Sequence, residues 1–569
     1  MAQQLYFSRD TRMFIQFRNP ADNTETAAKL GAGAVWEVPV LDGYSFSQTT
    51  NTSEITLAEM ESTAGISRRG RRMFTDSLAP AEWSFSTYIR PFKSKAGSVT
   101  PAGSVAASNA AEVHAVEEAF FASMFGADTY TTGSGFTRAT NAAGSGGGVT
   151  GGVITPGASS SVITIGESNR SALASFTLYF MIDTATSNPL IYRLPEAIVN
   201  EVSVDFDVDG IATLNWSGFS KEVQDVSGNV FTGTSAPANS ATTTDGSTIA
   251  LGDIFIDTDN AMGRQFNLVS SSASTMGVTA AIDEATTSTK NFIRNRLTSV
   301  SIEAAVAADK ATTFPGQKVT ISAMDSTNNV LTTAAAHGLK TGDQVFITGG
   351  TGVTSLNSTH HFVRVGDETS SYNSSANATT EFALFTTKAN AEAASGTTGL
   401  VTFTGTYNAN TATASNGKYS LTLTGGNFTI GNNITYLVPE ELGAINKPLE
   451  HVTGTRTATG TATCYLTLED TDLSSGTSRQ FFNDLVGTGA MSQVVNKFKV
   501  TMDVGGAAAS ANTTDPALQI IFPTAHITVP THQIEDVISL ETNFEALPTD
   551  FGTADEITSL TYFPVDDYA

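Results

Sequence analysis

Residues 201–207 read EVSVDFD, and Asp205 and Asp207 stand there two positions apart. Alternate residues of an extended strand share a face. Glu201, Ser203, Asp205 and Asp207 therefore form one acidic, hydroxyl-bearing row. Such oxygens could bind calcium, but a calcium loop needs more ligands at closer spacing. A solvated strand face, or the lining of a water-filled passage, accounts for the same residues. The cluster Arg68-Arg69-Gly70-Arg71-Arg72 stands out in an acidic chain. It could contact phosphates or form a solvated loop. His360 and His361 are adjacent, so on a strand they point to opposite faces and suit structure better than a shared metal. The run GSGGGVTGG (144–152) lacks the Gly-Lys-Ser/Thr ending and the strand–loop–helix frame of a phosphate site. No nucleophile elbow, HExxH or paired-cysteine motif occurs. Hence no catalytic residue, metal or cofactor is expected.

The element that must hold the acidic row is a hairpin. In EAIVNEVSVDFDVDGIATLNWSGF (196–219) a three-residue loop, Val208-Asp209-Gly210, suits a type I turn with a left-handed glycine. Phe206 then pairs with Ala212, Val204 with Leu214 and Val202 with Trp216, giving one wholly apolar face. A two-residue loop would mix the faces. A half-buried antiparallel sheet with an acidic wet side follows.

Composition agrees with a β-rich chain. Only 15% of the 569 residues are charged, against about 25% in average soluble proteins. Net charge is −25, so the average field repels nucleic acid and anionic lipid. The single cysteine, Cys464, excludes an intrachain disulfide framework and suits a core thiol on a strand. The N-terminal residues lack a signal-peptide pattern. No apolar run reaches the ~18 residues of a membrane span. A soluble, non-exported protein without membrane insertion is expected. One clear helix is expected to end at Gly126, with Ser108 or Asn109 as cap and Glu112 in its first turn.

Several phrases recur in order. YSFSQTTNTSEITL (44–57) answers to YSLTLTGGNFTIGN (419–432), and AEWSFSTYIRPF (81–92) to ATCYLTLEDTD (462–472). FFASMFG (120–126) answers to FFNDLVG (481–487), and SFTLYFMID (175–183) to KFKVTMDVG (497–505). Last, NPLIYRLPEAIVNEVSVDFDVDG (188–210) answers to DPALQIIFPTAHITVPTHQIEDV (515–537). An internal duplication explains this order.

These phrases, with NNITYLVPEELGAINKPLEHVTGTRTATGTATCYLTLED (432–470), resemble the tail tube (major tail) proteins of long-tailed bacteriophages, of the kind with two fused tube domains. The resemblance implies a mainly β fold: two tandem tube-type β-sandwich/barrel domains, each with one flanking helix, plus an inserted small β module. The first tube domain is expected at 1–220. A flexible or decorating excursion follows at 221–289. The second tube domain is expected at 290–315 and 406–569, split by a small β-barrel decoration at 316–405 that carries AAHGLKTGDQVFITGG (335–350). The implied function is a non-enzymatic virion protein that stacks as rings into a hollow tube for DNA ejection. Its partners would be itself, as a homotrimer in a pseudo-hexameric ring, and other tail proteins at the tube ends. Genomic DNA would pass through the lumen without specific binding. Assembly would occur in the host cytoplasm, with the product in the virion tail. Glu201, Ser203, Asp205 and Asp207 would face the lumen, and Arg68, Arg69, Arg71 and Arg72 would reach the neighbouring ring. The alternative is a carbohydrate-binding or adhesion β-protein of a virion or cell surface.

Overall fold

The computed structural model describes residues 10–17, 35–55, 72–89, 93–94, 112–113, 116–125, 148–150, 153–155, 161–163, 173, 175–182, 189–233, 253–257, 265–268, 278–279, 298–311, 313–365, 377, 379–393, 396–438, 447–467, 476–487, 498–505, 518–534, 536–550, 552–553, 555–557, 559–562 and 565–566. The fold is mainly β, as expected. No described helix is long and apolar enough to cross a membrane.

The first half contains β1 (Thr11–Phe17), β2 (Val35–Val38) and β3 (Ser45–Ser47). A hairpin of β4 (Thr50–Ile55) and β5 (Arg72–Leu78) leads into β6 (Ala81–Tyr88). Helix α1 (Val116–Phe125) precedes β7 (Phe176–Ile182), β8 (Leu190–Asp207) and β9 (Thr213–Ser220). The second half contains β10 (Ser299–Ala304), β11 (Lys418–Leu421) and β12 (Leu423–Gly431). A hairpin of β13 (Thr435–Leu437) and β14 (Glu450–Val452) leads into β15 (Thr457–Tyr465). Helix α2 (Ser478–Val486) precedes β16 (Phe498–Val504), β17 (Leu518–Ile527), β18 (Thr531–Gln533) and β19 (Ser539–Ala546).

The two halves pair their strands in the same order. In the first it is β2-β1-β7-β8-β9-β6-β3. In the second it is β11-β10-β16-β17-β19-β15-β12. Strand β8 then pairs with β12, Glu201 opposite Gly431 through Asp207 opposite Gly425. That junction makes one antiparallel sheet of β3-β6-β9-β8-β12-β15-β19 with β17 and β18 at its far end.

Equivalence by register corrects two of the sequence matches. Tyr44 does not answer to Tyr419, which lies in β11 and so corresponds to β2. Phe46 answers to Phe428, and Trp83 to Gly460 rather than to a residue of 462–472. The cause is an exchange of bulk across one strand pair. A Cβ on Gly218 would lie 2.5 Å from the Trp83 ring, and one on Gly460 would lie 2.4 Å from Phe544. Each half seats one aromatic ring over a glycine, with large and small swapped between the strands. Phrase similarity therefore fades where the packing is retained.

The hairpin takes the expected register, with Val204 opposite Leu214 and Val202 opposite Trp216, and Gly210 has φ +123°. Its apolar face closes on α1. Phe120 lies 5.3 Å from Trp216 and 5.5 Å from both Phe85 and Phe176, measured between ring centroids. Trp216 Nε1 donates to Thr87 Oγ1 at 3.1 Å, so its polar end is satisfied inside the core. The equivalent Phe481 of α2 lies 5.1 Å from Tyr419 and 6.0 Å from Phe498. The first helix begins later than expected. Glu112–Val113 is a short strand paired with Lys93–Ser94, so Glu112 is not in the first helical turn. The expected caps Ser108 and Asn109 and the stop Gly126 lie outside the described residues. Cys464 is buried in β15, and burial pushes its thiol up to about 11.

Two excursions carry sheets of their own, and the second runs past its expected end. The stretch 221–289 carries a four-stranded sheet of Val230–Gly233, Ile254–Asp257, Gln265–Leu268 and Val278–Thr279. It is anchored because Val230, Ile254 and Ile256 share a buried cluster with Phe14, Tyr179, Met181 and Ile191. The insert is a closed six-stranded barrel running from Lys318 to Ser415. Its last strand, Ala412–Ser415, lies beyond residue 405 because that strand pairs with both Lys318–Ile321 and Phe346–Thr348 and closes the wall.

Candidate functional site

The acidic row belongs to a wide wet face. Cross-strand neighbours run from Ser45 through Ser84, Ser217, Glu201 and Gly431 to Thr457. The next row is Ser86, Asn215, Ser203, Thr429, Thr459 and Glu545. Tyr88, Thr213, Asp205, Asn427, Thr461 and Asn543 form the third. Asp207, Gly425, Thr463 and Glu541 form the fourth. No lysine or arginine stands in these rows.

Alternation produces this face. Strand β9 buries every second residue, as do β6 and β15. Valine, phenylalanine and tryptophan thereby enter the helix-covered core, while serine, threonine, asparagine and carboxylates stay wet. Strand β8 is long enough to serve two layers. Its first part pairs with β7, and from Ile198 on it pairs with β9, across a bulge between Val199 and Glu201. The bulge resets the pleat and aims the acidic row outward.

Hydrogen bonds knit the face laterally. Ser86 Oγ donates to Asn215 Oδ1 at 2.7 Å, and Asn215 Nδ2 donates to Asp205 Oδ2 at 3.2 Å. Thr461 Oγ1 donates to Asn427 Oδ1 at 3.0 Å. Gln533 Nε2 donates to Glu541 Oε2 at 2.7 Å. Polar side chains held this way present oxygens and amides to the solvent side, with carboxylates at intervals.

The structure brings Glu201, Ser203, Asp205 and Asp207 together as one row. Arg68, Arg69 and Arg71 lie outside the described residues. Arg72 is placed as the first residue of β5, opposite Ile55. Asn427, Thr429, Thr459, Thr461, Glu541, Asn543 and Glu545 extend the same face in the second half and were missed in the sequence. The alternating threonines of TATGTATCY (457–465) carried that signal.

His360 and His361 separate as alternation requires. His360 Nε2 lies 2.6 Å from the Ala307 carbonyl, and His361 Nε2 lies 2.7 Å from Thr359 Oγ1. Among the described residues, no group of three or more His, Cys, Asp or Glu side chains is arranged for a metal.

A second charged cluster joins the barrel to the sheet. Lys310 and Lys499 both pair with Glu303, and Lys418 pairs with Asp343 of the barrel. Burial alone would raise the Glu303 carboxyl, but Lys310, Lys499 and Lys418 hold it down at about 2. Burial lowers Lys310, with Glu303 opposing. Lys418 is raised despite burial because Asp343 and Glu303 face it. Gln480 of α2 donates to the Gly316 carbonyl at 2.8 Å, so the helix also grips the barrel's root.

Among the described residues, the organised feature of this β-sheet molecule is an extended polar face. The chain is related to a phage tail tube protein. Over 138 residues it is 36% identical to the tail tube protein pb6 of Escherichia phage T5. That stretch spans 24% of this chain and 27% of the relative. No protein-family model matches the chain.

Proposed function

We propose that this chain polymerises into stacked rings that form the hollow tail tube of a phage, through which DNA is ejected into the host. The observation that supports this reading most is the wet face: a continuous antiparallel sheet of acidic and small polar side chains with no basic group in its rows. Carboxylates repel phosphate and keep a hydrated gap, whereas lysine or arginine would hold DNA by counterion release. Glu201, Ser203, Asp205 and Asp207 face the lumen in this reading. They perform no catalysis and bind no metal.

Two tube domains per chain give three chains per ring and a pseudo-six-fold lumen. The repeated pairing order supports this arithmetic. The first tube domain is 1–220; the second combines 290–315 with the chain after the inserted barrel. The barrel and the sheet within 221–289 decorate the outside. Arg68, Arg69, Arg71 and Arg72 contact carboxylates of the adjacent ring. The product resides in the virion tail after assembly in the host cytoplasm, with other tail proteins at the tube ends.

Negative-stain microscopy of purified protein tests the reading. Hollow tubes or rings are expected; compact particles or solid fibres overturn it.

A further inference from the structure

The wet sheet ends in two strand edges. Among the described residues, β3 hydrogen-bonds to β6 and to no other strand, and β18 to β19 and no other. These edges are counterparts of the two strands that meet inside the chain. Strand β18 stands against β19 as β8 stands against β9: Ser203 and Asp205 face Asn215 and Thr213, and Thr531 and Gln533 face Glu541 and Ser539. Strand β3 stands against β6 as β12 stands against β15, with Ser45 opposite Ser84 and Asn427 opposite Thr461.

We propose that β18 binds β3 of a second copy of this chain, in the register of the internal β8–β12 junction. Thr531 then lies opposite Ser47 of the second copy, His532 opposite Phe46, Gln533 opposite Ser45, and Ile534 opposite Tyr44. This rests on the tube reading and adds to it the partner edge and the residue pairing.

Side-chain direction supports the register independently. Phe46 points into the core, 4.8 Å from Phe180 and 5.2 Å from Tyr192 between ring centroids. His532, though exposed, lies over the same face, edge-on at 4.5 Å to Phe482, which packs against the core. Ser45, Ser47, Thr531 and Gln533 are exposed on the wet side. A one-residue slip would set each core-facing side chain against a wet one. Exposure tells the same story. Phe206, at the internal junction, is buried over Gly426, where an added Cβ would lie 2.7 Å from its ring. Its counterpart Ile534 is 81% exposed. Tyr44 of the second copy is the cover the proposal supplies.

The junction between chains is also the weaker one. Inside the chain, β8 and β12 pair over seven positions. Strand β18 is three residues long and follows Pro530, which has no N–H to donate. Rings should therefore open between chains, leaving each two-part subunit folded.

The test is oxidation of the Ser45→Cys, Gln533→Cys double variant. The natural Cys464 is buried and does not compete. Assembled protein should give covalent dimers and a closed trimer under non-reducing denaturing conditions. The control, Ser47→Cys with Gln533→Cys, should cross-link at least about tenfold less, since its Cα atoms would sit roughly 7 Å or more apart. Hydrogen exchange of unmodified protein gives a second readout: amides of 44–47 and 531–534 should slow on assembly. Hollow tubes without the 45–533 cross-link, or with those amides unprotected, overturn the edge and register while sparing the tube. Absence of any ring or tube from the natural protein overturns both.

Discussion

At the residue scale, the proposed function rests on which side chains a strand shows to water. Asp205 and Asp207 are held on the wet face by the pleat and by lateral bonds from Asn215 and the Val208 amide. Asp205→Lys with Asp207→Lys should leave folding and ring assembly intact, because neither carboxylate forms part of the core. It should slow or stall genome ejection, as measured by dye entry into a DNA-staining host assay. Unchanged ejection would remove the electrostatic role. The opposite kind of residue is Gly218. Its added Cβ would lie 2.0 Å from the Ile198 carbonyl and against Trp83. Gly218→Ala should therefore destabilise by about 1–3 kcal/mol, read from the urea midpoint, without altering wet-face charge.

At the element scale, the inserted barrel is the separable piece. Lys318 and Ser415 are directly paired, so its two ends are adjacent. Replacing 318–415 by a short Gly/Ser link should leave a soluble protein. Removing 316–405 should not, because Ala412–Ser415 would remain as an unpaired strand edge. Solubility and circular dichroism of the two deletions check this. The barrel's root has its own acid dependence. Glu303 is depressed from an ordinary 4.5 to about 2, so its contribution is complete above the unfolded value. It is lost as pH falls from about 4.5 towards 2, and is worth about 3 kcal/mol at neutral pH. Glu303→Gln should lower stability at pH 7 and flatten the loss on acidification across that window. A parallel acid profile in variant and natural protein would assign the dependence elsewhere.

At the scale of the whole molecule, one sheet crosses the boundary between two similarly paired halves. The Asn432 side chain donates to the carbonyls of Met124, at the end of α1, and Val199, so residues of the second half complete the first. Independent unfolding of the halves is not expected; a single cooperative transition should appear in calorimetry, apart from the barrel. Mass measurement of an isolated ring should give three chains. Six chains would contradict the use of both halves in one tube wall.

Local rules made much of this legible in the amino-acid order alone. The strict alternation of 201–207 and 211–217 set the hairpin's register, its two faces and its loop, since a strand's side-chain period leaves no other apolar pairing. The paired phenylalanines of 120–121 and 481–482 announced two equivalent helices, because burial under an aromatic sheet demands the same bulk at the same turn. Tertiary structure decided what depends on partners far away in the chain. Trp83 and Gly218 match Gly460 and Phe544 only once the strands are side by side, because packing conserves the summed volume of a pair and not each residue. The Thr457–Tyr465 face became recognisable when β12 brought it beside β8. The last barrel strand could be assigned only from the wall it closes, since four residues of Ala, Thr and Ser carry little propensity of their own.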